Sequence, residues 1–463
     1  PYLRARHEDI EQLGDKIYQA WLGDNAANSE EEPQAEHILV GKSISVSDIV
    51  GLHADQLLGI VCYSGAALSH IAIFANALGI PAVMGLPEGQ SLADGERIIL
   101  DGNAGELIRH PSNRLLQEYR GLIDSREGIN RILESQKDLP GQTTDGTRVE
   151  LLANSGLQAD IMPGLRRGAE GIGLFRTEVP FMARKSLPSE DEQVAVYRQV
   201  IDAYAAKPVY IRTLDIGGDK PLPYLPRITE ENPALGWRGV RFTLDNVQLM
   251  VTQLRAIVRA AQGRDSVHVL LPMVSTTEEL DQCLELLADT CRELAEQGLP
   301  SLRPKVGAML EVPAAVSLLP FWRDRLDFVS IGSNDLSQYL LALDRNNTNV
   351  GKLYDPLHPA VIHEVQRIVN AAGAAGLPVS VCGEMASDPI AVVLLLGMGV
   401  KRLSMSSARL PLIRWLVRSI SIQAAQGLLR DALTLDTATA IRGQGQAFLK
   451  GLDCDPQFLE ALS

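Results

Sequence analysis

From residue 149 onward the chain repeats one pattern eight times: a short apolar run, then a longer stretch with helical spacing. The strand-like runs are Val149–Ala153, Gly171–Phe175, Val209–Leu214, Val267–Pro272, Val306–Leu310, Phe328–Ile331, Val379–Cys382 and Arg402–Ser404. Helical patterns fit between most of them, as at Asp245–Ala261, Thr277–Gln297, Pro359–Ala375 and Pro389–Leu396. A parallel sheet buries both faces, so its strands read as continuous apolar runs, and each parallel connection needs a crossover of this length. Eight such units over roughly 270 residues predict a (β/α)8 barrel of the TIM type. An open doubly wound sheet is the weaker alternative, because no Gly-x-Gly-x-x-Gly follows any strand.

The upstream sequence has a different grain. Residues 1–24 carry Ile10, Leu13, Ile17, Trp21 and Leu22 at helical spacing and predict one amphipathic helix. Asn25–Pro33 is a polar linker. The stretch to residue 110 predicts a small α/β domain. Its strands are His37–Val40, Leu58–Cys62, Ala82–Met84, Arg97–Leu100 and Glu106–Ile108, with a helix at Ser69–Leu78 closed by Gly79. Asp101-Gly102-Asn103-Ala104-Gly105 is a turn between the last two strands. Residues 111–138 are charged, place Leu115, Leu116, Leu122, Ile129 and Leu133 on one face, and predict a connecting helix ended by Pro140-Gly141. The expected divisions are therefore 1–24, 25–110, 111–140 and 141–463.

Bulk properties narrow the functional classes. A chain of 463 residues is too long for one ordinary core. Its net charge of −14 speaks against nucleic acid or an anionic membrane surface as partner. No apolar run approaches the roughly 20 residues that span a bilayer, and Pro1–Arg6 shows no secretory apolar core. The five cysteines (Cys62, Cys283, Cys291, Cys382, Cys454) form no Cys-x-x-Cys pair, so neither a zinc ribbon nor a disulfide framework is indicated. A reducing cytoplasm is the expected compartment.

Five segments carry candidate chemistry: Gly65–His70, Phe175–Glu178, Arg212–Asp215, Gly332–Asp335 and Cys382–Glu384. Active sites of this barrel lie at the C-terminal strand ends, and Arg176, Arg212, Met273, Glu311, Asn334, Asp335 and Glu384 sit at or just past predicted ends. His70 opens a predicted helix, where backbone N–H groups and the dipole favour an anion such as a phosphorylated imidazole. Arg176, Arg212 and Arg345 are suited to clamp a small polyanion, with Arg238 and Lys220 in reserve. Glu311 and Asp335 are candidate ligands for a hard divalent cation, and Asn334 could bond the same phosphate. Cys382 could protonate an enolate, with Glu384 in support. Each residue also has a plainer reading: His70 incidental to a helix cap, the arginines in surface or structural ion pairs, Glu311 and Asp335 as helix-start carboxylates, Cys382 as a small core residue. The other histidines show no metal-ligand spacing.

Together these residues resemble Enzyme I of the bacterial phosphotransferase system. The likeness runs through Leu78–Gly85, Gly173–Glu178, Asp215–Lys220, Glu231–Arg238, Leu310–Pro313, Ser330–Tyr339, Asp344–Asn347 and Val381–Met385, in order, to about residue 420. It implies phosphoenolpyruvate–protein phosphotransferase activity. His70 would take the phosphoryl group and pass it to a small histidine phosphocarrier protein. Arg176, Arg212, Asn334, Asp335 and Arg345 would bind phosphoenolpyruvate, Glu311 and Asp335 would hold Mg2+, and Cys382 would protonate the pyruvate enolate. The resemblance further implies a phosphohistidine domain that swivels on the helical linker and a homodimer formed through the barrel. Trp237–Arg241 and Asp344–Val350 look closer to the nitrogen-related branch than to the sugar-uptake branch.

Three departures accompany the likeness. Ile71 stands where a Thr usually follows the histidine, and Asn76 where an Arg is common; both changes could weaken phosphohistidine stabilisation. Residues 1–24 resemble only the last helix of the carrier-binding subdomain, so the chain is expected to be a fragment that accepts phosphate but passes it on poorly. Two rivals remain. Dikinase-type chemistry needs an ATP-grasp domain that does not fit in this chain. A non-catalytic sensor of phosphoenolpyruvate would form no phosphohistidine.

Overall fold

The computed structural model describes residues 36–42, 44, 56–63, 80–86, 92–102, 104–156, 160–182, 184, 186–217, 222, 224, 230–345, 347 and 349–452. The chain divides into two compact units, residues 1–123 and 124–463. The expected helices at 1–24 and 69–78 lie outside the described residues.

In the first unit, β1 (His37–Gly41), β2 (Leu57–Cys62) and β3 (Ala82–Met84) form a parallel sheet in that order. Leu57, Ile60 and Cys62 of β2 join Ile44 in a small core, which is why β2 is the most apolar of the three. β4 (Ile98–Asp101) and β5 (Glu106–Arg109) make an antiparallel hairpin. Its turn is closed as the Asp-Gly signal requires: the Asp101 carboxylate accepts the Ala104 N–H at 3.0 Å. Helix α1 (Asn113–Ser135) follows, opened by Ser112, whose hydroxyl accepts the Leu115 N–H at 3.2 Å. The division between units falls within α1. In the second unit its later residue Ile129 is buried, with Leu133 packed against the same core.

The second unit is the barrel. Its elements are β6 (Glu150–Ser155), α2 (Ile161–Arg166), β7 (Ile172–Arg176), α3 (Glu178–Met182), α4 (Glu190–Tyr204), β8 (Val209–Arg212), α5 (Val240–Asp245), α6 (Val247–Ala261), β9 (Val267–Leu271), α7 (Thr277–Glu296) and β10 (Lys305–Leu310). They continue with α8 (Pro313–Trp322), β11 (Phe328–Ile331), α9 (Ser333–Leu340), α10 (Pro359–Ala375), β12 (Val379–Val381), α11 (Pro389–Gly397), β13 (Arg402–Met405), α12 (Leu410–Ser419), α13 (Ile422–Ala432) and α14 (Ala438–Lys450). Strands β6 to β13 are all parallel and close on themselves, β13 pairing β6 from Arg402 opposite Glu150 to Met405 opposite Ala153. All eight expected strands are present and the open-sheet alternative falls. The expected helix Asp245–Ala261 is present as α6, starting two residues later; Asn246 leaves helical geometry (φ −117°, ψ 58°) and separates it from the short helix α5, which had no expectation.

Alternation along the strands divides the apolar residues into two layers. Leu152, Leu174, Tyr210, Leu270, Met309, Phe328 and Cys382 fill the lumen. The opposite faces pack against the helices in one large core. At the N-terminal end the lumen is stopped by rings: Tyr210 lies 4.5 Å from His268 and 4.9 Å from Phe328, centroid to centroid. Burial pushes the His268 imidazole down to about 4, so it is neutral in this floor at physiological pH. The helices are started by local chemistry: capping boxes at Ser189/Glu192 for α4 and Thr276/Glu279 for α7 satisfy the first free N–H groups.

Helix α11 is buried at every position. A helix apolar all round must be covered on all sides, and α13 and α14, beyond the eight βα units, supply that cover. No helix among the described residues is long and apolar enough to cross a membrane. Trp322, fully buried at the end of α8, donates its indole N–H to the Thr277 hydroxyl at 3.0 Å. Trp322→Ala is expected to cost about 3–5 kcal/mol in denaturant unfolding through the cavity it leaves; a change below 1 kcal/mol would contradict this packing.

Candidate active site

Charged side chains converge at the C-terminal ends of the barrel strands. Arg212 ends β8 and is buried; its guanidinium donates to the Glu178 carboxylate at 2.6 Å and lies 3.1 Å from that of Asp215. Arg238, just before α5, is also buried. It forms a two-pronged pair with Asp215 (3.0 and 3.2 Å) and reaches Asp335 at 3.3 Å and the Tyr339 hydroxyl at 3.4 Å. Burial alone would lower both guanidinium pKa values. The carboxylates of Glu178 and Asp215 around Arg212, and of Asp215 and Asp335 around Arg238, more than offset it and hold both firmly protonated. This is the arrangement buried charges require: each paired and hydrogen-bonded.

Glu311 follows β10 and is completely buried. One carboxylate oxygen accepts the Met273 N–H at 2.6 Å. Met273 adopts a left-handed φ of 59° there, a conformation that costs a side-chain-bearing residue energy and that recurs at functional sites. The other oxygen of Glu311 is buried with no hydrogen-bond partner among the described residues. Burial, then the negative charges of Asp335 and Asp215, push this carboxyl well above the usual carboxylate range. α8 starts at Pro313 after Val312 without a side-chain cap, so Glu311 is not the helix-start residue of the plainer reading.

Asp335 and Asn334 lie in the first turn of α9, whose start is likewise uncapped by a side chain. Asp335 faces Arg238 and, at 3.6 Å, Arg345. Arg345 is held from behind: its backbone N–H donates to the Gln338 side chain at 3.1 Å, while one buried guanidinium nitrogen has no hydrogen-bond partner among the described residues. Asn334 accepts the Glu384 N–H at 2.9 Å and donates to its carboxylate at 3.3 Å, tying α9 to the loop after β12. Gly383 in that loop has no room for a side chain, since a Cβ would lie 1.9 Å from the Ser333 hydroxyl. Arg176 ends β7 beside Arg212, is exposed and makes no ion pair with the described residues.

Cys382 lies in the lumen below these groups. The Ser330 hydroxyl donates to its sulfur at 3.2 Å. Burial pushes the thiol up to about 11, so it carries its proton at neutral pH. Arg176, Arg212, Glu311, Asn334, Asp335, Arg345 and Cys382 thus all belong to one end of the barrel. His70 lies outside the described residues, as does Lys220. Sequence reasoning held Arg238 only in reserve and gave Asp215, Glu178 and Tyr339 no role. The signal for the first two was present: both directly follow strand ends already singled out, three and two residues beyond Arg212 and Arg176.

The donor set can be tested against a hard cation. Among the described residues no cluster of three or more His, Cys, Asp or Glu side chains is placed to hold a metal. Two carboxylates, one with an orphan buried oxygen, fit Mg2+, which keeps its remaining positions for water and substrate oxygens.

A closed parallel barrel with paired arginines, acids and a buried thiol at its C-terminal mouth defines the class as a (β/α)8 barrel with a charged mouth. Comparison narrows the class. Residues 130–422 match the family described as PEP-utilising enzyme, PEP-binding domain, and residues 33–105 match PEP-utilising enzyme, mobile domain. The chain is 42% identical over 450 residues to the "Phosphoenolpyruvate-dependent phosphotransferase system" protein of Salmonella typhimurium, covering 97% of this chain and 60% of that one. It is 42% identical to the "Phosphoenolpyruvate-protein phosphotransferase" of Cupriavidus necator (88% and 72% covered) and 37% identical to that of Haemophilus influenzae (97% and 78%). The chain belongs to the PEP-utilising enzyme family. It spans about 60% of the length of the Salmonella relative.

The state of Cys382 gives a direct check. The thiolate absorbance of the wild type minus that of Cys382→Ser is expected to rise with a midpoint near pH 11, against about 8.5 for a free cysteine. A midpoint below 9 would remove the protonated thiol from the site.

Proposed function

We propose that this chain is the phosphoenolpyruvate-binding and phosphohistidine portion of a phosphoenolpyruvate–protein phosphotransferase. The observation that carries the reading is the state of the barrel mouth. Among the described residues Arg176 makes no ion pair, one buried guanidinium nitrogen of Arg345 has no hydrogen-bond partner, and Glu311 offers an orphan carboxylate oxygen in the same end of the barrel. Such a set has donors to spare for a phosphate and a carboxylate, and an acceptor to spare for a cation. Membership in the PEP-utilising family makes phosphoenolpyruvate the ligand that has both anionic groups.

In this reading Arg176, Arg212, Asn334, Asp335 and Arg345 bind and orient phosphoenolpyruvate. Glu311 and Asp335 would hold Mg2+, which when bound supplies charge neutralisation at the phosphoryl oxygens. The phosphoryl group moves in line from the enol oxygen to one nitrogen of neutral His70: the P–O bond breaks as the P–N bond forms, and the departing electron pair is left on the enolate. The Cys382 thiol gives its proton to the enolate carbon, completing pyruvate, and is reprotonated from solvent. Positioning and electrostatics provide most of the acceleration, as little covalent work falls to the protein.

The wider assignments belong to the same proposal. Residues 25–110 act as a swivelling phosphohistidine domain, 111–140 as its linker, and 141–463 as the binding and dimerising barrel. The acceptor downstream is a small histidine phosphocarrier protein, the system is the nitrogen-related branch, and the compartment is the cytoplasm with Mg2+ as cofactor.

Intact mass after incubation with phosphoenolpyruvate and Mg2+ tests the reading. One acid-labile phosphoryl group is expected on the wild type and none on His70→Ala. A wild type that binds phosphoenolpyruvate yet gains no mass would point instead to a sensor. Arg176→Ala is expected to lose about 1.5–3 kcal/mol of substrate interaction, a fall of roughly 10–150-fold in kcat/KM for phosphoenolpyruvate; steady-state pyruvate release checks it.

A further inference from the structure

Arg442 lies on α14, beyond the residues 130–422 that match the barrel family, and no role described so far touches it. Its guanidinium bridges two acids from separate loops of the barrel mouth. One nitrogen donates to Asp355 at 2.8 Å and another to Asp388 at 3.4 Å. The three side chains are partly exposed, so the bridge contributes little to global stability. Its position, however, is specific.

Asp355 stands at the exit of the loop that carries Arg345. That loop is folded on itself: the Gly351 N–H donates to the Asn347 carbonyl at 2.7 Å, and the Tyr354 N–H to the Gly351 carbonyl at 3.0 Å. Tyr354, next to Asp355, is held among the charges of Glu384, Arg345 and Asp335. Asp355 also accepts the Leu357 N–H at 2.9 Å, which fixes the carboxylate that Arg442 grips.

Asp388 stands at the exit of the other loop, the one carrying Cys382, Gly383 and Glu384. Its N–H donates to the Glu384 carbonyl at 3.1 Å, alongside the Ser387 N–H at 2.8 Å that closes a short 3-10 turn at Glu384–Ala386. Its side chain caps α11 by accepting the Ala391 N–H at 2.9 Å. The same turn holds Asn334 through the Glu384 N–H. Arg442 itself is well placed to act as a fixed point. Its neighbour Ile441 is buried, and Gly445, one turn on, lies so close to α11 that a Cβ would come within 2.2 Å of Ile390.

We propose that Arg442 is a positioning residue for phosphoenolpyruvate: by gripping Asp355 and Asp388 together it sets the separation between the Arg345 loop and the Cys382–Glu384 loop. This rests on the phosphotransferase reading of the barrel mouth. The pair of loops supplies an anion clamp from one side and an enolate acid from the other, so a slack bridge loosens the substrate before it affects the fold.

The test compares wild type, Arg442→Gln and Arg442→Lys in the 463-residue chain. The readouts are phosphoenolpyruvate affinity by calorimetry with Mg2+, the rate of phosphohistidine formation against phosphoenolpyruvate concentration, and thermal melting. Arg442→Gln is expected to weaken phosphoenolpyruvate binding about tenfold, with a melting shift of no more than a few degrees. Arg442→Lys, which can grip one acid at a time, is expected to fall between the two. Asp355→Asn is expected to reproduce the loss in a background where Arg442 is intact. Wild-type affinity in Arg442→Gln and Asp355→Asn overturns the proposal while leaving the phosphotransferase reading standing. So does a loss of melting temperature and active fraction without change in affinity. A wild type that does not bind phosphoenolpyruvate overturns both.

Discussion

The mouth of this barrel depends on Asp215. It lies three residues past the end of β8, is completely buried, and receives two arginines: Arg212 from its own strand end and Arg238 from the start of α5. Arg238 then passes the connection across the barrel to Asp335 on α9. Removing one member of such a buried set leaves an uncompensated charge, at a cost of about 3–5 kcal/mol. The set therefore fixes the spacing of β8, α5 and α9 before any ligand arrives, and the residues offered to a ligand stand on that frame. This is electrostatic preorganisation in the structural sense: the donors are oriented during folding rather than at the moment of reaction.

The frame also explains which groups are left unsatisfied. Glu311 sits among Arg212, Arg238, Asp215 and Asp335, where burial and the two acids outweigh the two arginines. It uses one oxygen on the Met273 N–H and keeps the other unused. A fold under selection for stability alone would not retain a buried carboxylate in that state, with a left-handed Met273 holding it. Arg176 and Arg345 are the complementary case, positive groups at the rim with capacity in hand.

Much of the barrel was legible in the sequence because parallel strands must be continuously apolar. All eight runs from Val149 to Ser404 correspond to strands, and Phe328–Ile331 and Pro359–Ala375 have the expected bounds. The placement of candidate residues was legible where they end or closely follow a strand: Arg176 and Arg212 end theirs, Glu311 and Cys382 come next after theirs, and Asp335 stands four residues on. What was not legible depended on tertiary distance. Arg238 lies more than twenty residues beyond β8, and nothing local says that its chain returns to pair with Asp215. The short helix α5, which Asn246 separates from α6, likewise had no reading. The C-terminal helices α12 to α14 had no reading at all, although the unbroken Ala391–Leu396 run implied that something must cover it.

The ring floor formed by Tyr210, His268 and Phe328 has a kinetic meaning. Among the described residues the lumen is packed and stopped at that end, which leaves the C-terminal mouth as the side from which the charged groups are approached. On the reading proposed here, the small anion and the departing keto acid share that side. Arrival and departure from one side impose a queue: the keto acid must leave before the next anion enters. The sequence of events would then be written into the shape of the vessel, with no separate gate needed to enforce it.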